Sequence, residues 1–259
     1  MKQADPNHQK ISRRGFFKNA GIGTAGLAGI PLLANSCVTE NRKANLQDYF
    51  SKGDVIVFQG DSITDAGRNK KRELPNNAGS FGGGYAHLAA SWLLEALAAF
   101  ELTIYNRGIS GNKVYQLAER WDKDCINLKP NVLSILIGVN DYWHFRNGRY
   151  DGTPEIYEND FRELLQRTRE ALPDIKLLIC QPFILTETTA VNESWVEPFS
   201  AYQEIAKKIS LEFEATWVPF QDAFDQAIEV AHPTYWANDG VHPSMAGAQL
   251  MANTWLGSI

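Results

Sequence analysis

A serine hydroxyl becomes a nucleophile only when a base takes its proton, and that base works best when an acid orients it. Two short segments far apart in the chain supply those parts. The first is Gln59-Gly60-Asp61-Ser62-Ile63-Thr64-Asp65, which offers Ser62 as the nucleophile. The second is Asn238-Asp239-Gly240-Val241-His242-Pro243-Ser244, which offers His242 as the base and Asp239 as its orienting acid. Asp239 stands three residues before His242, a spacing that lets the carboxylate reach the imidazole nitrogen turned away from the serine. Pro243 disfavours helical geometry at His242 and so keeps it in a loop. Taken singly, Gly-Asp-Ser is more commonly a turn or a helix cap, and Asp-x-x-His near a helix start serves equally well as capping chemistry.

Between these segments lie two others that could bind the negative charge developing on an attacked carbonyl oxygen. Asn106-Arg107-Gly108-Ile109-Ser110-Gly111-Asn112 and Gly138-Val139-Asn140-Asp141 are rich in small and amide residues. Acyl transfer needs N–H groups aimed at the oxyanion, and the Ser62 and Gly108 backbone amides with the Asn140 carboxamide are suitable donors. In isolation each segment reads as an ordinary glycine or Asn-Asp turn.

The elements that must position these loops are legible in the apolar pattern. Short β-rich runs at Val55–Gln59, Leu102–Asn106, Val132–Ile137, Lys176–Gln181 and Thr216–Pro219 read as strands of a buried parallel sheet. Longer amphipathic runs at Gly84–Phe100, Val114–Asn127, Ile156–Leu172, Glu197–Phe213 and Ser244–Trp255 read as helices, with apolar residues recurring at three and four as in Phe161, Leu164, Leu165 and Leu172. Strand and helix alternate without internal repeats, which predicts a three-layer α/β/α sandwich. In such sheets ligands gather beyond the carboxyl ends of the strands, where three of the four segments fall.

Together, and in this order, the four segments resemble those of the SGNH hydrolases, the GDSL-type esterases named for a Ser, a Gly, an Asn and a His. The resemblance runs from about Val55 to the last helix. It implies a flavodoxin-like fold with a five-stranded parallel sheet. It also implies Ser62 as nucleophile, Gly108 and Asn140 as oxyanion donors, and His242 with Asp239 as the base pair. Gly83-Gly84-Tyr85, the Asn106–Asn112 segment and Asn140-Asp141-Tyr142-Trp143 resemble the bacterial branch that deacetylates xylan and xylo-oligosaccharides. The activity implied is removal of O-acetyl groups from carbohydrate through an acyl-enzyme. A lysophospholipase or short-chain acyl esterase is the alternative on the same fold, and a non-catalytic glycan-binding lipoprotein is a third reading. Sugar rings stack on flat aromatic faces, so Tyr142, Trp143, Tyr235 and Trp236 are candidate substrate contacts, with Asp61 beside them. Large aromatics are core residues first, and Asp61 and Asp65 read as turn and helix-start residues rather than as metal ligands.

The remaining reactive side chains have plainer readings. His87 belongs to a helix, while His144 and His232 sit in loops near the site, His144 following Trp143 closely enough to line a pocket. Cys180 ends an apolar strand and reads as a buried thiol, and Cys125 reads as inert or paired. No motif calls for a metal or a cofactor, and the mechanism needs neither.

Composition bounds the whole. The chain has 259 residues, 44% hydrophobic and 21% charged, as packed globular proteins do. With 25 Lys and Arg against 30 Asp and Glu, its net charge of −5 provides no basic field for a nucleic acid. The three cysteines, Cys37, Cys125 and Cys180, cannot build a disulfide scaffold. At the amino terminus, Ser12-Arg13-Arg14-Gly15-Phe16-Phe17-Lys18 followed by an uncharged stretch from Asn19 to Thr39 resembles a twin-arginine export signal. Residues 1–36 are the expected signal. Cutting after Ser36 suits signal peptidase, and Cys37 would suit acylation as a lipid-anchored lipoprotein, although Ala34 stands where a lipobox usually has Leu. Removing five cations and one acid with that segment leaves 223 residues at −9, a linker over 37–53 and one catalytic domain over 54–259. The exported product would be periplasmic, secreted or membrane-anchored.

Overall fold

The computed structural model describes residues 45–259; the expected export signal, its cleavage point and Cys37 lie outside the described residues. Val55, Ile56, Val57 and Phe58 are apolar on both sides of the pleat, which suits a strand covered on both faces. They form β1 (Val55–Gly60), the middle member of the pairs it makes with β2 (Thr103–Asn106) and β3 (Val132–Leu136). The sheet continues through β4 (Lys176–Cys180) to β5 (Thr216–Val218). The order is β2-β1-β3-β4-β5 with every pairing parallel, as the flavodoxin-like expectation requires. Successive crossovers leave β1 to one side towards β2 and to the other towards β3, which opens a crevice past the carboxyl ends of β1 and β3.

A short helix α1 runs through residues 45–49, and Leu46 and Phe50 are buried in the core, so the polar stretch read as a linker to residue 53 ends sooner. The other helices are α2 (Ser62–Asp65), α3 (Tyr85–Ala96), α4 (Val114–Glu119), α5 (Trp121–Asp124), α6 (Val139–Arg146), α7 (Pro154–Ala171), α8 (Val196–Glu212), α9 (Phe220–Ile228), α10 (Pro233–Trp236) and α11 (Met245–Gly257). α7 shows how sequence makes them. Thr153 caps its first turn by accepting from the Ile156 amide, Pro154 fits the turn because no amide is needed there, and Tyr157, Phe161, Leu164 and Leu165 form one buried stripe. Helix α11 packs against α3 and α9, and α7 packs against α4 and α8. Trp255 of α11 is buried with its ring 5.0 Å from Phe58, and its indole N–H donates to Ser134 Oγ of β3 at 2.9 Å, giving a buried polar atom its partner.

Several helices depart from the pattern-based expectation. The single helix expected over Val114–Asn127 is interrupted at Arg120, whose guanidinium turns inward to the Arg107 carbonyl, the Asn112 carboxamide and Asp124. The segment expected as a loop around Asn140 opens α6 instead, and α9 and α10 were not anticipated.

Candidate active site

Ser62 follows β1 at the start of α2, where Asp61 Oδ1 accepts from the Ile63 amide at 2.9 Å and caps the helix. His242 lies in the loop before α11, 180 residues later, yet Ser62 Oγ and His242 Nε2 stand 2.8 Å apart. His242 Nδ1 donates to Asp239 Oδ2 at 2.7 Å, which leaves Nε2 free to accept from the serine hydroxyl. Asp239 is locked in turn, because its Oδ1 accepts from the amides of Val241 at 2.9 Å and His242 at 2.8 Å. Burial would raise the Asp239 carboxyl, but the bonds from the His242 ring and amide and the Val241 amide outweigh it and bring it down to about 2. The His242 imidazole is raised above its ordinary 6.5, chiefly by the hydrogen bond to Asp239 and against the effect of burial.

Backbone amide accounting shows which donors of the neighbouring loop are already taken. In the loop after β2, the Arg107 amide donates to the Phe58 carbonyl and the Ile109 amide to the Gly60 carbonyl. Ser110 donates to Asp65, Asn112 to the Ile109 carbonyl, and Lys113 to the Gln116 side chain. The Gly108 amide, expected as an oxyanion donor, is instead committed to Asn106 Oδ1 at 2.9 Å. Gly108 is a packing position: a Cβ there would lie 2.4 Å from the Asp65 amide nitrogen. That leaves Gly111, whose amide has no partner among the described residues and whose φ of +81° places it where glycine is favoured. The Ser62 amide is likewise unpartnered among the described residues, and Asn140 Nδ2, on a residue only 7% exposed, makes no full hydrogen bond, its nearest acceptor being the buried Asp61 carboxyl, which it helps to lower. A buried donor left without an acceptor, as Asn140 Nδ2 is, is uncommon, and all three donors lie in the segments that follow β1, β2 and β3. Sequence reasoning missed Gly111; the Ser-Gly dipeptide, a turn signal, was the available clue.

Residues 58–250 match the model of the GDSL-like Lipase/Acylhydrolase family. The chain belongs to this family. An acetylxylan esterase from Geobacillus stearothermophilus is 31% identical over 212 residues, which cover 80% of this chain and 94% of that enzyme. Among solved structures, a GDSL-like lipase from Parabacteroides merdae shares 51% identity with a TM-score of 0.79 and covers 81% of this chain and 96% of its own. The acetylxylan esterase Axe2 from G. stearothermophilus shares 30% identity with a TM-score of 0.73, over 80% of this chain and 94% of that one. The protein is therefore a carboxylic ester hydrolase of the GDSL type.

In this esterase the expected substrate contacts divide. Tyr142 is only 2% exposed and packs among Trp195, Phe199 and Tyr202, so it is a core residue and presents no face to a sugar. Asp61 is fully buried and serves the cap of α2, so it too is no substrate contact. Its carboxyl is pushed up to about 6 by burial, and that of the equally buried Asp141 to about 7, while Asp141 Oδ1 accepts from the Val114 amide and so pins α6 to α4. Trp143 is half-buried, edge-on to Trp195 at 5.2 Å. Tyr235 is 59% exposed, whereas the Trp236 indole N–H is tied to the Ala227 and Ala231 carbonyls. Both are fixed near His242, because Ser244 donates from its hydroxyl to the Tyr235 carbonyl and from its amide to the Trp236 carbonyl. His144 lies 3.4 Å from the Lys113 ammonium, and burial followed by Lys113 and Arg149 lowers it. Cys125 and Cys180 are both buried free thiols, each pushed up to about 12 chiefly by burial.

Ser62 and His242 open onto a cleft of about 230 Å³, lined also by Ile63, Ala66, Gly83, Gly84, Tyr85, Pro243 and Ala248. A base must be neutral to accept a proton, so kcat/KM for ester hydrolysis is expected to rise with pH through a midpoint above 6.5. Asp239 favours the protonated imidazole, and Asp239→Asn is expected to move that midpoint to lower pH while also reducing the rate. An unmoved midpoint in the pH profile of the variant would separate the acid limb from His242.

Proposed function

We propose that this esterase removes O-acetyl groups from xylan-like carbohydrate through an acyl-enzyme on Ser62. The observation that carries the reading is the Ser62–His242–Asp239 chain at 2.8 and 2.7 Å, with uncommitted donors at Ser62, Gly111 and Asn140 in the segments after β1, β2 and β3. His242 Nε2 takes the Ser62 proton as Oγ attacks the acetyl carbonyl. The oxyanion accepts from the Ser62 and Gly111 amides and from Asn140 Nδ2. Collapse breaks the C–O bond to the sugar, whose oxygen takes the proton from His242. Water, deprotonated by the same imidazole, then attacks the acyl-enzyme, and acetate leaves with Ser62 reprotonated.

The substrate reading is supported by the relative's activity on acetylated xylan and by Trp143 and Tyr235 as aromatic faces near the site. The cleft beside Ser62 is below the roughly 300 Å³ at which sites for larger ligands begin, which favours a short acyl group. The twin-arginine-like segment supports export, where acetylated polysaccharide is found, and Cys37 offers a lipid anchor there. The deciding experiment compares acetate released from acetylated xylan with fatty acid released from lysophospholipid by the same preparation. Acetate is expected to dominate; preferential release of long-chain fatty acid would replace this reading with the lipolytic one. Stoichiometric labelling of Ser62 by an organophosphorus reagent is expected alongside, and its failure would revive a glycan-binding role without catalysis.

A further inference from the structure

Asp65 ends the helix that carries the nucleophile, three residues after Ser62, and it is completely buried. Its Oδ2 accepts from the Ser110 amide at 2.9 Å, the Ser110 hydroxyl at 2.7 Å and the Lys70 ammonium at 2.6 Å, while Oδ1 accepts from the Arg68 amide at 3.2 Å. Ser110 is the residue before Gly111. The Asn112 amide bonds to the Ile109 carbonyl, closing a four-residue turn over 109–112 in which Gly111 has φ +81° and Ser110 does not have positive φ. Those are the marks of a type II turn, with glycine at its third position.

Type I and type II turns differ mainly by rotation of the central peptide, here the one joining Ser110 to Gly111. Rotating it would turn the Gly111 N–H away and bring the Ser110 carbonyl oxygen towards the place of the oxyanion. The flanking bonds at Ile109 and Asn112 survive that rotation, so they do not choose between the two forms. Glycine at position 111 is what admits the positive φ of this form, whereas the two bonds to one carboxylate oxygen fix where the turn sits, because they tie the amide and the side chain of Ser110 to the helix of Ser62. Arg68 adds a second tie from the same region, its Nε donating to the Gly108 carbonyl at 2.7 Å.

We propose that Asp65 is a positioning residue for ester hydrolysis: from the helix of Ser62 it grips Ser110 and so holds the turn that carries the Gly111 N–H in register with the nucleophile. This rests on the esterase mechanism proposed above. It makes the nucleophile and the oxyanion turn one rigid unit, since the strut between them is buried and charge-assisted.

The test uses 4-nitrophenyl acetate, which reports ester cleavage without a sugar, on the folded protein and its Ser110→Ala, Ser110→Thr and Asp65→Asn variants. Ser110 is exposed, so Ser110→Ala leaves packing intact. It is expected to lower kcat about 10-fold with KM nearly constant, less than the 10²- to 10³-fold of deleting an oxyanion donor outright. Ser110→Thr keeps the hydroxyl and is expected to restore kcat, while Asp65→Asn lowers it further. The inhibition constant of a boronic acid that forms a tetrahedral adduct on the serine is expected to rise by the same factor as kcat falls. If Ser110→Ala keeps full kcat and boronate affinity, or changes only the melting temperature, the positioning role is overturned. Ser62→Ala, run beside it, distinguishes the failures: activity surviving there refutes the mechanism, whereas an inert Ser62→Ala with a fully active Ser110→Ala refutes only the clamp.

Discussion

Ser62→Ala is expected to cut kcat on acetyl esters by about 10⁴-fold or more while leaving KM within a few-fold. His242→Ala is expected to do the same, and the double variant to be no slower than either single one. The reason is geometric. The two side chains form one hydrogen-bonded unit at 2.8 Å, so removing either abolishes the same proton transfer, and the second removal has nothing left to abolish. What survives comes from the oxyanion donors and substrate positioning, which do not depend on the hydroxyl. Steady-state kinetics on all three variants checks this. Multiplying losses in the double variant would show that Ser62 and His242 act independently, contrary to the 2.8 Å contact.

Asn140→Ala is expected to lower kcat by about 10²- to 10³-fold with little change in KM, because the carboxamide meets charge that exists only in the transition state. The same substitution is expected to leave the melting temperature unchanged or raised. Asn140 Nδ2 is buried with only the Asp61 carboxyl near it and no full hydrogen bond, and a buried donor so poorly satisfied costs up to about 1–3 kcal/mol, a cost that alanine removes. Loss of activity with gain of stability is the signature of a polar group kept for chemistry rather than for folding. Kinetics and thermal unfolding on one preparation test both halves. A variant that loses stability and keeps its rate would make Asn140 a structural residue of α6.

Much of this was readable before any tertiary contact was known, and the reasons are local. β1, β3 and β4 announce themselves because both faces of each are covered, so their residues run apolar without alternation, while the edge strands β2 and β5 are shorter and only partly buried. α7 and α8 announce themselves by a stripe at three and four. Ser62, Asn140, Asp239 and His242 stand out because each follows a strand or precedes a helix, where backbone geometry changes and side chains are freed from packing.

The errors share a cause as well. Asn140-Asp141-Tyr142-Trp143 carries two aromatics beside a site residue, but their helix turns Tyr142 into the core against Trp195, Phe199 and Tyr202 and leaves Trp143 at the edge. Nothing in four adjacent letters fixes that rotation. Gly108 and Gly111 differ in role because of partners elsewhere: one amide meets the Asn106 side chain, the other meets nothing among the described residues.

The sequence by itself determined the five strands and the long helices between them, the serine esterase chemistry to be expected, and the residues of the proton relay, since these depend on apolar periodicity and on residue type at element ends. Only the tertiary structure decided which amide stays free, which aromatic faces outward, and that Asp65 of the nucleophile helix holds Ser110 from 45 positions away. Hydrogen-bond supply and burial are shared across the whole fold, so whether a given donor is left for an oxyanion is settled by distant residues that have already taken the others.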